Sequence, residues 1–223
     1  MSKFVELRDV RKIYQMGEVE IRAVDGIDFC IDQGEFVVVV GPSGAGKTTV
    51  LNILGGMDTA SSGEVWVDGN NVAEYSNKEL TRYRRDDIGF VFQFYNLIPV
   101  LNAEENILLP LQLDGQLPDR EYLEDILMHF DLTGRRTFLP NQLSGGQQQR
   151  VAVARALIHK PALIMADEPT GNLDTKNSRE IISLMTSCVR RYGQTMVLIT
   201  HDPSIAAQAD RVIKIEDGRI LEG

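Results

Sequence analysis

The sequence has little cysteine, no long apolar run and no basic excess. Its two cysteines, Cys30 and Cys188, stand far apart in the chain. They show no metal-ligand spacing and offer no disulfide framework, which fits a reducing compartment. Both read as small apolar side chains for burial. The longest apolar stretches are Phe36–Val40, Ala162–Ala166 and Met196–Ile199, whereas a membrane-spanning helix needs about 18 or more such residues. The N-terminal stretch MSKFVELRDVRKIY is interrupted by charge at once and has no signal-peptide core. If the protein works at a membrane, another chain is expected to carry it there. Lys and Arg number 23 against 32 Asp and Glu, a net charge of −9 with a sequence pI near 4.9. That balance argues against a freely basic nucleic-acid binder.

What is present is a 223-residue chain, 43% hydrophobic and 25% charged, enough for one domain with a substantial insert. Residues 3–10 and 19–32 alternate like half-buried strands, with Gly26 as a turn. EFVVVV (35–40) is a core strand candidate. A helix is expected from about Thr48 to Met57. Residues 64–75 read as a hairpin turning at Asp68-Gly69. Ser76 with Glu79 forms a capping box that opens a short helix. IGFVFQ (88–93) is strand-like. The stretch 94–113 is apolar but broken by Pro99 and Pro110, and a helix from Asp119 to Phe130 starts at Pro118. Strand-like segments return at 162–167, 195–199 and 211–216. Between the first two lies a helix, about Lys176 to Tyr192, which Gly193 stops.

This order gives an α/β fold: a mostly parallel sheet, an antiparallel flank built from 3–32 and 211–222, and an inserted helical subdomain. The expected boundaries are 1–93 and 161–223 for the core and 94–160 for the helical insert.

Gly41-Pro42-Ser43-Gly44-Ala45-Gly46-Lys47-Thr48 matches G-x-x-x-x-G-K-[ST] in full, between a strand and a helix. Its glycines let backbone N–H groups curl around an anion, and the helix N-terminus adds unpaired donors and a positive dipole end. Lys47 can reach β- and γ-phosphates, and the Thr48 hydroxyl can ligate Mg²⁺. Downstream, ALIMAD (162–167) is an apolar strand ending in a carboxylate, followed by Glu168. Asp167 would hold the metal and Glu168 would polarise an attacking water. His201 stands just past the strand TMVLIT, where ligands of open α/β sheets bind, and as a neutral donor it could contact the γ-phosphate. His129 and His159 lack such context and read as helix-surface residues.

At Leu143-Ser144-Gly145-Gly146-Gln147, Ser144 caps a helix and the glycines leave backbone N–H groups for an anion. With this motif the chain closely resembles the ATP-binding cassette ATPases, whose signature sequence it is. The resemblance covers essentially the whole chain. It implies that Tyr14 stacks on adenine and that Gln93 senses Mg²⁺ and the attacking water. It also implies that Gly171-Asn172-Leu173-Asp174 crosses a dimer interface and that His201 is a switch histidine. Thr49 belongs with the phosphate loop. ATP and Mg²⁺ are the implied substrate and cofactor. Two chains would pair head to tail in an ATP-dependent homodimer. Each site would then take Tyr14, Lys47, Thr48, Gln93, Asp167, Glu168 and His201 from one chain and Ser144, Gly145 and Gly146 from the other. Weak or absent self-association is expected without nucleotide.

FQFYNLIPVLNAEENILLP and ADEPTGNLD look like the subfamily serving lipoprotein release, macrolide export and antimicrobial-peptide detoxification. That likeness implies an integral membrane permease partner with a large extracytoplasmic domain, and a place on the cytoplasmic face of the membrane. Phe94–Pro99 reads either as packing between the core and the insert or as part of a groove for a partner helix. Two functions stay open on these residues. One is the ATPase of an exporter or extractor. The other is a signalling subunit that controls a cell-wall enzyme or reports a bound peptide without moving a solute.

Overall fold

A computed structural model describes residues 3–222. Strands β1 (Lys3–Met16) and β2 (Val19–Asp32) pair antiparallel. Gly26 does not turn the chain as expected. Strand β2 runs straight through it, and the register steps from Val10↔Ile27 to Arg11↔Asp25. Gly26, at φ 77°, is the extra residue of a bulge. On its other edge β1 pairs with β4 (Ser62–Val67), which turns through Asp68-Gly69 into the short β5 (Asn70–Asn71). These form a four-stranded sheet in the order β2-β1-β4-β5.

The second sheet centres on β3 (Phe36–Val40). Around it lie β6 (Ile88–Val91), β7 (Leu163–Asp167), β8 (Thr195–Ile199), β9 (Arg211–Glu216) and β10 (Arg219–Glu222), in the order β10-β9-β3-β8-β7-β6. All neighbours are parallel except β9 and β10. Segment 211–222 therefore forms the expected antiparallel pair, but as part of the six-stranded sheet, where 211–216 also pairs parallel with β3, and not in one flank with 3–32. Ile213 and Ile215 are buried while Val212 is 38% exposed. That alternation is the pattern of a strand with one covered face and carries no sign of the parallel pairing with β3. Strand β3 shows no alternation because both its faces are covered. Val37 and Val39 pack toward α1 (Lys47–Leu54) and the four-stranded sheet. Phe36 and Val38 pack on the opposite side, toward the helical layer.

Helix α2 (Asn77–Asp86) has the expected Ser76–Glu79 capping box. Helices α3 (Ala103–Leu113), α4 (Arg120–His129) and α5 (Gly145–Leu157) lie between β6 and β7 in the chain. Pro110 does not break α3. It sits within the helix, where the absence of one N–H removes a single turn bond. Pro118 stands before the α4 cap, Asp119, and not at the first helical position. Helix α6 (Thr175–Arg191) buries Ile181, Met185, Cys188 and Val189, and Gly193 takes the left-handed φ of 64° that follows its end. A short α7 (Pro203–Ala206) leads to β9.

His129 and His159 are half-buried rather than on the surface. His129 Nε2 lies 3.0 Å from the Leu184 carbonyl, tying α4 to α6. His159 Nε2 lies 3.0 Å from the Ile88 carbonyl, tying the end of α5 to β6. Cys188 is buried as expected, while Cys30 is only partly so. No helix among the described residues is long and apolar enough to cross a membrane.

Candidate functional site

The phosphate-loop glycines are required by space as well as by backbone angle. A Cβ on Gly41 (φ 153°) would lie 2.0 Å from the Ile215 carbonyl oxygen. One on Gly46 (φ 97°) would lie 2.1 Å from the Ala23 carbonyl oxygen. Gly46 begins α1, and no side chain caps that helix. Helices α2 to α7 all have a side-chain N-cap: Ser76, Asn102, Asp119, Ser144, Asp174 and Asp202. The first N–H donors of α1 are thus left to the loop and to whatever the loop holds.

Lys47 Nζ donates to the carbonyls of Gly41 (2.9 Å) and Pro42 (2.8 Å). The Thr48 hydroxyl donates to Asp167 Oδ2 at 3.0 Å, joining the loop to the end of β7 across β8. Burial pushes the Asp167 carboxyl above the usual carboxylate range, and Glu168 adds to this, while Thr48 and Lys47 pull the other way. Glu168 follows in the left-handed region (φ 46°), and its N–H donates to the Ile199 carbonyl at 3.1 Å. Its carboxylate oxygens lie 3.0 and 3.1 Å from His201 Nδ1. The imidazole side chain is 79% exposed, the carboxylate side chain 24%. Gln93 extends from the end of β6. Its carbonyl accepts from Asn172 Nδ2 at 3.0 Å, and its side chain packs so close to Gly171 that a Cβ there would meet Nε2 at 2.9 Å.

These elements enclose a cavity of about 740 Å³. From the loop, Gly41, Ser43, Gly44, Ala45, Gly46, Lys47, Thr48 and Thr49 line it; from the strand ends, Gln93, Asp167, Glu168 and His201 do. Tyr14, Ser144, Gly145, Gly146, Gln147 and Asp174 do not line it. The Tyr14 hydroxyl donates to Asp58 Oδ2 at 2.6 Å, beside the Thr49 hydroxyl at the cavity rim. Ser144 and Gln147 form a reciprocal capping box on α5. Asp174 caps α6, accepting from the N–H groups of Lys176 and Asn177, bonds that hold its carboxyl below the usual range. Asn177 also packs beside Gly146, so the Asp174 turn and the Ser144 turn abut.

Four participants had no signal in the sequence. Ala23, on β2, lines the cavity and braces Gly46. Asn96 lines it in the left-handed conformation (φ 48°). Arg155, on α5, donates to the carbonyls of Tyr95 (2.9 Å) and Asn96 (2.8 Å), and burial lowers its pKa. Asn106, fully buried on α3, accepts from Ile98 N–H and donates to the carbonyls of Ile98, Leu101 and Asn102. Together Arg155 and Asn106 hold the segment that follows Gln93.

Residues 24–171 match the family described as ABC transporter. The chain belongs to that family. An uncharacterized ABC transporter ATP-binding protein of Thermotoga maritima is 45% identical over 99% of this chain and 94% of its own length. A macrolide export ATP-binding/permease protein of Marinobacter nauticus is 46% identical over 98% of this chain, which spans only 34% of that longer protein. A solved structure described as a dimeric post-hydrolysis state of the ATP-binding cassette MJ0796, bound to ADP and Pi, superposes with a TM-score of 0.88. It is 43% identical over 98% of this chain and 97% of that one.

In this ABC cassette the metal-binding expectation rests on donor chemistry. Thr48 offers a hydroxyl, Asp167 a carboxylate and Gln93 a carboxamide at the cavity wall. Such hard oxygen donors suit Mg²⁺. Among the described residues no group of three or more His, Cys, Asp or Glu could hold a metal by itself. Mg²⁺ is commonly bound through one or two carboxylates together with substrate phosphates, and Asp167 supplies a carboxylate at this wall.

Proposed function

We propose that this chain hydrolyses ATP as the nucleotide-binding subunit of a membrane export or extraction complex of the lipoprotein, macrolide or peptide type. One observation carries the reading. The uncapped start of α1, the Thr48–Asp167 bond and the Glu168–His201 pair all meet in one cavity. Backbone N–H groups of the loop and the Lys47 ammonium bind the β- and γ-phosphates. Thr48, Asp167 and Gln93 would hold Mg²⁺, which when bound would neutralise charge on the phosphate oxygens. Glu168 accepts a proton from water as the water oxygen bonds to the γ-phosphorus. The bond from that phosphorus to the bridging oxygen breaks, and ADP leaves. His201, held against Glu168, contacts the γ-phosphate.

The Ser144–Gln147 turn and Asp174 stand off this cavity because they complete the site of a second copy. The dimeric description of the MJ0796 structure supports that pairing. The name of the macrolide export ATP-binding/permease protein supports an integral membrane permease as partner. That the partner carries a large extracytoplasmic domain, and that this chain sits on the cytoplasmic face of the membrane, rests on the subfamily resemblance of the sequence. The test is Glu168→Gln. Nucleotide binding should persist, turnover should fall at least ~10²-fold, and Mg-ATP should hold the variant as a dimer by light scattering. Turnover near wild type would overturn the role of Glu168, and a variant that stays monomeric with saturating Mg-ATP would overturn the shared-site reading.

A further inference from the structure

Asp58 lies just beyond the C-terminal end of α1. The N–H groups of Met57 and Asp58 both donate to the Asn52 carbonyl, at 2.9 and 3.1 Å. The last turn of the phosphate-loop helix therefore sets the backbone that presents this carboxylate. Every oxygen of that carboxylate is engaged. Oδ2 accepts the Tyr14 hydroxyl at 2.6 Å. Oδ1 accepts Lys12 Nζ at 2.5 Å and the Thr59 N–H at 2.7 Å. Lys12 also donates to the Thr59 carbonyl at 2.7 Å. Its ammonium lies 4.9 Å from the centroid of the Tyr14 ring. The Lys12 and Asp58 side chains are 11% and 27% exposed, so this is no loose surface pair. The Tyr14 ring is thus tied at its hydroxyl and covered by an ammonium, yet Tyr14 keeps 37% of its surface exposed.

We propose that Asp58 is a positioning residue for the nucleotide base: with Lys12, it locks the Tyr14 ring against α1 so that the ring's free face stands ready to stack. The proposal rests on the reading of Tyr14 as the base-stacking residue. One helix then references both ends of the ligand. Its N-terminus holds the phosphates and the turn after its C-terminus orients the aromatic platform. A ring held this way loses little freedom when the base arrives, whereas a free ring must be ordered by the ligand. The Lys12 charge on one face and the Asp58 carboxylate at the hydroxyl also act on the ring's π-system in the same place each time.

The experiment compares two probes by calorimetry, Mg-AMP-PNP and Mg-tripolyphosphate, which share phosphates but differ in the base. Asp58→Ala and Tyr14→Phe should each weaken AMP-PNP binding by about 2- to 10-fold, the range for ordering one side chain. Both should leave tripolyphosphate within about twofold. The double variant should be no weaker than the weaker single variant, because both changes cut the same link. Tyr14→Phe keeps the Lys12–Asp58 pair, so it reports even if Asp58→Ala fails to fold. Equal loss for both probes, additive losses, or no loss would overturn the assignment. Tyr14→Ala separates the two ideas. If it leaves AMP-PNP affinity unchanged, base stacking itself falls. If it weakens binding while Asp58→Ala and Tyr14→Phe do not, stacking stands and the positioning role falls.

Discussion

Two buried carboxamides in the helical layer should respond to the same kind of substitution with opposite signs. Gln149 on α5 and Asn106 on α3 are both 0% exposed. Neither Oε1 nor Nε2 of Gln149 has a hydrogen-bond partner, whereas Asn106 makes four bonds that shape residues 98–102. An unpartnered buried polar group costs about 1–3 kcal/mol. Gln149→Met keeps the volume and removes both orphaned atoms, and a volume-conserving swap itself costs under about 1.5 kcal/mol. The net expectation is a gain of about 1–2 kcal/mol. At about 2–4 °C per kcal/mol for a chain of this size, Tm should rise by about 2–8 °C. Asn106→Leu instead abandons four bonds at about 1 kcal/mol each, partly recovered by water near the exposed Ile98, and should lose about 2–4 kcal/mol. Scanning calorimetry with urea unfolding at fixed nucleotide-free conditions measures both. A destabilised Gln149→Met protein would refute the reasoning, because it would mean the carboxamide is served by groups such as ordered water that reward its polarity.

Three further expectations concern charge and reactivity. Lys47→Ala should weaken nucleotide binding itself, and unchanged affinity by calorimetry would remove Lys47 from the phosphate site. Burial lowers the His159 pKa below the ordinary His value of about 6.5. The unfolded chain therefore binds the proton more readily, and stability present above about pH 6.5 is lost as pH falls from there through the lowered folded-state value. The urea-unfolding free energy should decline less steeply between pH 7.5 and 5.5 in His159→Gln than in wild type, the difference being at most about 1.4 kcal/mol per pH unit. Burial pushes the Cys188 thiol up to about 12. Mass spectrometry after alkylation at pH 8 should find Cys30 modified in the native protein and Cys188 only after urea, and early labelling of Cys188 would contradict its burial.

How much of the site could be read in advance follows from where its parts lie along the chain. The phosphate loop was legible because an anion cradle needs its glycines, lysine and hydroxyl on one continuous turn between strand and helix. Asp167, Glu168 and His201 were legible for a different reason. Each ends or follows an apolar strand, and parallel strands deliver their C-terminal ends to one rim. The order β3-β8-β7-β6 sets the phosphate loop, His201, Asp167 with Glu168, and Gln93 side by side along that rim. What escaped was contact between distant segments. Nothing local to Ala23 announces that its carbonyl will press on Gly46. Arg155 and Asn106 look like ordinary helix residues until the fold brings carbonyls of residues 95–102 against them.

The misplacement of 211–216 has the same origin. Alternation reports how many faces are covered, not the direction of the neighbouring strand. Strand β9, with Val212 outward, pairs antiparallel with β10 but parallel with β3, and its alternation gives no sign of the parallel neighbour. Its placement matters for the site. The Ile215 carbonyl on β9 approaches Gly41, and the turn after β9 reaches the loop through the Gly218 N–H, which donates to the Ala45 carbonyl at 3.1 Å. The Asp25 N–H donates in turn to the Gly218 carbonyl at 2.8 Å, bringing in β2. The glycine-rich loop is thereby braced from behind by two segments that share no motif with it. Side-chain volume added at Gly41 or Gly46 acts on that brace before it acts on any ligand, since each Cβ would strike a backbone oxygen about 2 Å away.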